Sequence, residues 1–432
     1  MSRLKFGIFL APLHAPGQNP TLLLQRGLEQ VEYLDQLGFY EAWFGEHHSA
    51  GSEIYASPEI MIAAAAERTQ RIKLGTGVTS VSYHNPLWVA DPMIMLDHIT
   101  RGRSMLGMGP GSLPTDAAML GLTQVDTREL LAENADIIMR LLRGETVSAK
   151  TRTHELVDAR IQMAPYSDPL FDVTVAAVAS PTGARMAGKL GVGLMSIAAT
   201  MNPEGFSALE HHWGILNEFA EQAGRGEQVD RRNWRLVGPF HIAETKEQAY
   251  KDVEHGIEFW FNYFQKIAAF PQMDVRGDNL TEMIDFINTS GVGVIGTAAE
   301  ARAQVQKLVD QSGGFGTLLL QGHDWANPEA TRRSYELFAQ DVMPHFQGQA
   351  QPMIEASERA RSVRRSKTDE HLNAVAQMPQ RGGADDGEVQ RGAGPCLTRV
   401  SARRRASPIC SRRPSSCIRA LTGRRPSRTS PR

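Results

Sequence analysis

The chain has 432 residues, 41% of them hydrophobic, and can therefore bury one large core or two medium ones. Its formal net charge of −2 at pH 7 excludes a global attraction to nucleic acid or to an anionic membrane. No run of about 18 apolar residues occurs, and the apolar opening is too short for a signal peptide, so we expect a soluble cytoplasmic protein with no membrane partner. The cysteines at 396, 410 and 417 all follow the region in which we expect a fold, which excludes disulfides and cysteine-ligated metals there.

Short apolar runs alternate with amphipathic helical patterns over about the first 345 residues. Helices are predicted between the runs, and some have recognisable starts, with Ser57 before Pro58 and capping patterns at 245–248 and 297–300. This order is typical of an α/β fold, a (β/α)8 TIM barrel with insertions after the fourth and seventh strands, and an open doubly wound sheet is the alternative. The eight predicted strands are residues 4–12, 42–48, 73–81, 104–108, 173–179, 194–199, 234–243 and 315–321.

The composition changes near residue 350. We therefore expect the barrel to occupy residues 1–350 and residues 351–432 to form a disordered tail rich in Arg, Ser and Pro. Residues 381–432 contain 13 Arg and no Lys, which is a possible nucleic-acid arm. The composition favours a tail without function over that arm.

Three titratable side chains, Glu46, His47 and His48, follow the second predicted strand. The carboxyl ends of parallel strands are where such folds place their chemistry. Because side chains alternate along a strand, Glu46 and His48 should point one way and His47 the other. This alternation also argues against a metal site, since adjacent histidines would face opposite sides. A histidine that only packs in the core is the alternative for each of the two.

Five short motifs in unbroken order resemble the bacterial luciferase-like flavin monooxygenases. They are Lys-Phe-Gly-Ile-Phe at 5–9, Glu-His-His at 46–48, Leu-Gly-Thr-Gly-Val at 74–78, Leu-Asp-His-Ile-Thr-Arg-Gly-Arg at 96–103 and Val-Ile-Gly-Thr at 294–297. Within the family, Glu-His-His-Ser-Ala-Gly at 46–51 and Ala-Ser-Pro-Glu at 56–59 resemble the limonene or alkane monooxygenase branch.

The resemblance implies a luciferase-like barrel that binds reduced FMN, or FAD, at the carboxyl ends of its strands. Such an enzyme uses O2 to oxygenate a small apolar substrate, with a limonene-like terpene as the best expectation. It would receive reduced flavin from a separate NAD(P)H-dependent flavin reductase and form a homodimer. The alternatives are a deazaflavin-dependent dehydrogenase and a flavin-binding protein without catalysis, because a fold does not decide function.

The resemblance also implies site residues. The family's catalytic histidine corresponds to His47, as a general base or hydrogen-bond partner near the flavin. Gly77 and Val78 correspond to the small pair beneath the flavin ring, although a glycine there can also serve barrel packing alone. Ser180 and Gly183, at a helix start, are candidates for the flavin phosphate, with an ordinary helix cap as the alternative for Ser180.

Two positions depart from the family pattern. The phosphate-side arginine falls on Pro110 and the reactive cysteine of luciferase on Gly109, so Arg185 is a candidate for the missing charge. The stretch 291–296 matches the dinucleotide-binding pattern letter by letter, but it lacks a convincing preceding strand and comes late in the chain. We interpret its end as the start of a helix.

Overall fold

Parallel strands pair side by side around a closed ring in the computed structural model, which describes residues 3–11, 13–177, 180–197, 203–268, 275–291 and 293–377. Eight strands in this described part form the ring β1-β2-β3-β4-β7-β8-β9-β11, and β11 pairs with β1 to close it. The closed ring confirms the (β/α)8 barrel and excludes the open sheet. In chain order the strands are β1 (Lys5–Leu10), β2 (Glu41–Phe44), β3 (Lys73–Ser80), β4 (Ser104–Gly109), β5 (Val147–Lys150), β6 (Glu155–Ala159), β7 (Val173–Ala177), β8 (Gly193–Ser196), β9 (Trp234–Ile242), β10 (Val294–Gly296) and β11 (Thr317–Gln321).

Helices follow the strands and begin where the sequence supplies caps. Thr123 and Thr297 form full capping boxes, whereas Thr245 only accepts the backbone N–H of Gln248, at 3.2 Å. None of the described helices is long and apolar enough to span a membrane. They are α1 (Pro20–Leu37), α2 (Pro58–Ala66), α3 (Pro86–Thr100), α4 (Pro114–Met119), α5 (Gln124–Leu142), α6 (Thr182–Leu190), α7 (Pro203–Gln222), α8 (Lys246–Val253), α9 (Ile257–Lys266), α10 (Leu280–Thr289), α11 (Ala298–Ser312), α12 (Pro328–Leu337), α13 (Met343–Gln347) and α14 (Gln351–Ala376).

Both predicted insertions are present. The hairpin of β5 and β6 follows the fourth barrel strand, and α8, α9, α10 and β10 follow the seventh. The sequence did not predict α4, which is only six residues long. It also gave no strand near 291–296, where β10 pairs with the last residues of β9 before Thr297 caps α11.

Two predicted boundaries are wrong. The strand predicted at 42–48 ends at Phe44, because the chain leaves the sheet at Gly45 and the next three side chains turn to partners in loops. Residues 351–376, expected in a disordered tail, form α14, since no Gly and no Pro interrupts the chain between Pro352 and the helix end. The predicted strand ends at 178–179 and 198–199, and the tail beyond 377, lie outside the described residues.

The barrel interior is filled by a small apolar cluster above a buried ion pair. Arg235 reaches across the interior, with Nε 2.8 Å from Glu41 Oε2 and Nη2 3.2 Å from Asp172 Oδ2. The Trp43 indole donates to Glu41 Oε2 at 2.9 Å, and the guanidinium lies 5.0 Å from the centre of that ring. Trp43 is thus fixed from below, directly under the carboxyl ends of the strands. The interior cluster comprises Phe9, Trp43, Met105, Met195, Val237 and Leu319.

Candidate active site

A cavity of about 430 Å³ lies at the carboxyl ends of the barrel strands. Its described lining comes from the ends of the strands and from α5, α6 and α9. This is the face on which TIM barrels carry their active sites. The structure brings all five site residues predicted from the sequence into this one lining, namely His47, Gly77, Val78, Ser180 and Gly183.

Two carboxylates hold the His47 ring. Nε2 lies 2.8 Å from Glu53 Oε2, and Nδ1 lies 3.2 Å from Asp116 Oδ2. Burial alone would lower the pKa of His47, but the two carboxylates outweigh it and raise the pKa to about 10. Asp116 also accepts the backbone N–H of His48 at 3.2 Å and the hydroxyl of Ser49, so it joins the loops after β2 and β4. At neutral pH His47 is therefore an imidazolium, which suits a hydrogen-bond donor better than a general base.

Glu46 organises a second polar group beside the cavity. Its carboxylate accepts from His48 Nε2 at 2.9 Å, His84 Nε2 at 2.6 Å and the backbone N–H of Ser80 at 2.6 Å. Burial would raise the pKa of Glu46, but these bonds outweigh it and lower the pKa to about 2. Glu46 and His48 thus share one side and His47 faces another, as the alternation predicted, although the strand itself ends at Phe44.

The Gly77–Val78 pair forms the base of the cavity, and the peptide bond between the two residues is cis. A Cβ at Gly77 would lie 2.7 Å from Trp43 Cβ and 3.1 Å from Phe9 Cε2. Packing against Trp43 therefore already requires glycine here. This glycine thus serves barrel packing, and because the pair also lines the cavity, a contact with a ligand stays a prediction.

Ser180 and Gly183 line another part of the cavity, at the start of α6. The helix begins at Thr182, and Pro181 at the N-cap position provides no side-chain cap. Ser180 is exposed and lines the cavity, so the interpretation as an ordinary helix cap is wrong. The backbone N–H groups of the first turn remain available to a ligand.

Arg128 is the arginine that lines the cavity in the described part of the chain. It lies on α5 one turn after Gln124, and both side chains line the cavity. The Arg128 guanidinium forms no ion pair with any described residue, whereas Arg185 lies over the ring of Phe219 at 5.6 Å, away from the lining. The assignment of the missing charge to Arg185 is therefore wrong.

The rest of the lining is mainly apolar, with two amide side chains among it. Gln124 Nε2 and Gln321 Oε1 are buried and have no hydrogen-bond partner among the described residues. Buried polar atoms are normally paired, so these two point to groups that a ligand would supply. The apolar lining residues are Phe9, Ala11, Val78, Leu131, Met186, Ile197 and Phe264.

Sequence reasoning missed Glu53, Asp116 and Arg128. Asp116 stands two residues after the Gly- and Pro-rich stretch at 109–114 that follows the fourth strand, and that position is a signal that could have identified it. Glu53 and Arg128 carry no local signal. Among the described residues no group of three His, Cys, Asp or Glu side chains has the geometry to hold a metal ion.

Comparison with known proteins gives a consistent set of relatives. The family model described as luciferase-like monooxygenase matches residues 4–314. Limonene 1,2-monooxygenase of Rhodococcus erythropolis is 47% identical over 371 residues, which cover 85% of this chain and 93% of the relative. The 4-hydroxyprotoasukamycin monooxygenase of Streptomyces nodosus subsp. asukaensis is 42% identical and covers 81% and 94% of the two chains.

A solved structure agrees with the barrel. It is the oxygenating constituent of 3,6-diketocamphane monooxygenase from Pseudomonas putida, a type II Baeyer-Villiger monooxygenase in complex with FMN. It superposes with a TM-score of 0.65 at 22% identity, over 79% of this chain and 98% of that one. At this identity the likeness supports the fold alone.

Proposed function

Because the chain belongs to the luciferase-like monooxygenase family of flavin-dependent enzymes, we propose that it uses reduced FMN and O2 to oxygenate a small, largely apolar substrate. One oxygen atom would enter the substrate and the other would leave as water, with two electrons from the flavin. The observation that carries the proposal is a single cavity with a cationic histidine, a small-residue base, an anion-binding end and apolar walls.

The residues at the α6 end of the cavity fit a flavin phosphate. Among the described residues Arg128 has no ion-pair partner, and the buried Nε2 of Gln124 has no hydrogen-bond partner. Together with the Ser180 hydroxyl and the backbone N–H of Gly183 at a helix start, they would hold a dianion. A cavity of about 430 Å³ favours FMN over FAD, whose adenosine half would need further space.

The other groups of the lining would orient the flavin ring and keep water away from it. When bound, a reduced flavin supplies the electrons that activate O2. The ring would rest on the Gly77–Val78 pair, and His47 would share its Nε2–H between Glu53 and negative charge that develops on oxygen. The apolar walls exclude water, which would otherwise compete for the activated oxygen.

A limonene-like terpene is the substrate that we propose first. Its carbon skeleton suits the apolar walls, and the relative at 47% identity is named a limonene 1,2-monooxygenase. A deazaflavin-dependent dehydrogenase is not favoured, because the relatives above 40% identity are named monooxygenases. The same names argue against a flavin-binding protein without catalysis.

We propose that a separate NAD(P)H-dependent reductase supplies the reduced flavin and that the enzyme works in the cytoplasm. The dinucleotide-like stretch 291–296 does not provide a nucleotide loop. A Cβ at Gly293 would lie 1.9 Å from the Pro239 carbonyl, and one at Gly296 would lie 2.3 Å from Glu300 Oε2. Strand pairing and a helix cap thus account for these glycines.

A homodimer would cover an apolar face on α2 and α3. Trp88 is 77% exposed, and Met95 and Ile99 follow it at helical spacing on the same side of α3. Ile60 on the neighbouring helix α2 is 70% exposed. A large exposed aromatic among aliphatic side chains is typical of a self-association surface, and we propose a second copy of this chain as its partner.

Incorporation of labelled oxygen tests the function. The full chain would be mixed with anaerobically reduced FMN, 18O2 and limonene, and the products analysed by mass spectrometry. We expect a product that carries one 18O atom and little hydrogen peroxide. His47→Gln should release mainly peroxide, whereas His211→Gln, at an exposed histidine on α7, should behave as the wild type. Oxidation of FMN without any labelled product, or hydride transfer to a deazaflavin instead, would contradict the proposal.

A further inference from the structure

Gln321 is the last residue of β11 and lies at the top of the barrel interior. Along this strand Thr317 points inward, where its hydroxyl lies 3.3 Å from Glu41 Oε1, and Leu319 belongs to the interior cluster. Leu318 and Leu320 pack outward with the helices. By the same alternation Gln321 points inward, and it lines the cavity.

The amide oxygen of Gln321 is buried without a hydrogen-bond partner among the described residues. The residue is only 7% exposed, and its Oε1 has no partner among the described residues. Its neighbour across the strand pair is Phe9, and Ala11 and Phe264 also line the cavity. None of these side chains can hydrogen-bond to the amide, so among the described residues the Gln321 oxygen is left for a ligand to satisfy.

The phosphate of the flavin would not provide that partner. The groups that fit its phosphate stand on α5 and at the start of α6, next to β7, and β8 and β9 separate β7 from β11 in the ring. The other unpartnered amide, that of Gln124, lies beside Arg128 and is accounted for there. Gln321 thus lies away from the groups that fit the phosphate, beside the apolar side chains of Phe9 and Phe264 that suit a substrate.

We propose that Gln321 is a specificity-determining residue that selects apolar substrates bearing a hydroxyl group over the corresponding hydrocarbons. The proposal rests on the monooxygenase function proposed above and defines its substrate class. A hydroxyl can donate to the amide oxygen of Gln321, whereas a ketone oxygen only accepts and cannot satisfy it. A bare hydrocarbon would bury the amide without any partner, which is the situation that binding sites discriminate against most strongly.

The test compares three compounds with one carbon skeleton, namely limonene, its alcohol carveol and its ketone carvone. Their affinities would be measured calorimetrically with the full chain loaded with oxidised FMN. We expect wild type to bind carveol about tenfold more tightly than limonene or carvone. Gln321→Leu should bind carveol and limonene equally while its affinity for FMN stays unchanged. Gln321→Met serves as a second variant if the branched side chain disturbs folding.

Gln124→Leu is the matched control, since it removes the other unpartnered amide. It should weaken FMN binding and keep the preference for carveol. The proposal would be overturned if wild type bound carveol no more tightly than limonene, bound none of the three compounds, or bound carvone and carveol equally. Loss of FMN affinity in Gln321→Leu would also overturn it. Because these measurements need no turnover, a carveol preference without labelled product would refute the monooxygenase function and leave the role of Gln321 intact. Labelled product without a carveol preference would refute only the role of Gln321.

Discussion

Replacing Glu53 by Gln should lower the pKa of His47. Glu53 Oε2 lies 2.8 Å from the imidazole Nε2, and an opposite charge at such a distance raises a pKa by about 1–3 units. Removing that charge should therefore lower the pKa of His47 from about 10 by about 2 units. It should stay above the ordinary value of 6.5, because Asp116 Oδ2 still lies 3.2 Å from Nδ1.

The measurement is an NMR titration of selectively labelled histidine, together with the pH profile of 18O incorporation. If His47 acts as a cationic donor, activity should fall as the pH rises through its pKa, and this alkaline limb should move to lower pH in Glu53→Gln. The free energy of unfolding should also fall as the pH rises. A raised histidine pKa stabilises the folded state fully below about pH 6.5, and this contribution is lost as the pH rises through about 10.

The free energy of unfolding should thus fall between pH 7 and 10.5 in both proteins, and it should fall further in wild type than in Glu53→Gln. A difference of 2 units in the pKa of His47 corresponds to about 3 kcal/mol between the two falls. Glu244→Gln is the control, because it breaks an exposed ion pair with Arg333 outside the cavity lining. An unchanged pKa of His47 in Glu53→Gln would show that Asp116 alone sets the charge state, and the reasoning would fail.

Three further expectations can be checked independently. Arg128→Met should weaken FMN binding about tenfold or more and leave the binding of riboflavin, which has no phosphate, nearly unchanged in a fluorescence titration; equal loss for both would contradict a phosphate contact. Glu41→Gln should lower the free energy of unfolding in urea by about 3–5 kcal/mol, because it leaves a buried guanidinium incompletely paired. Lys73→Met, which removes a partly exposed ion pair with Asp172, should lower the free energy of unfolding by under about 1 kcal/mol. Similar losses in Glu41→Gln and Lys73→Met would contradict the larger contribution expected of the buried pair. Trp88→Glu should convert a dimer to a monomer in light scattering, and a monomeric wild type would refute the dimer.

The barrel and its cavity lining could be predicted because both depend on local patterns. A short apolar run predicts each barrel strand, and the carboxyl ends of parallel strands meet at one face of the barrel. For that reason His47, Gly77 and Ser180, which are far apart in the sequence, were expected in one site and are found in one cavity.

The partners of these residues could not be predicted, since each depends on a contact between distant segments. Asp116 reaches His47 from 69 positions away. Arg128 could be assigned only by seeing which cation faces the cavity, while Arg185 is occupied by Phe219. The charge of His47 followed from its neighbours as well, and the general-base expectation had considered only the ordinary pKa of the residue.

The fixed position of Trp43 restricts how the cavity can diverge among relatives. Its ring leaves no room for a side chain at Gly75, and its Cβ leaves none at Gly77. Glu41 and Arg235 hold the Trp43 ring from beneath. A mutation that deepened the base would have to break this packing and the buried ion pair together. New substrates are therefore more accessible to evolution, and to protein engineering, through changes in the walls than through changes in the base.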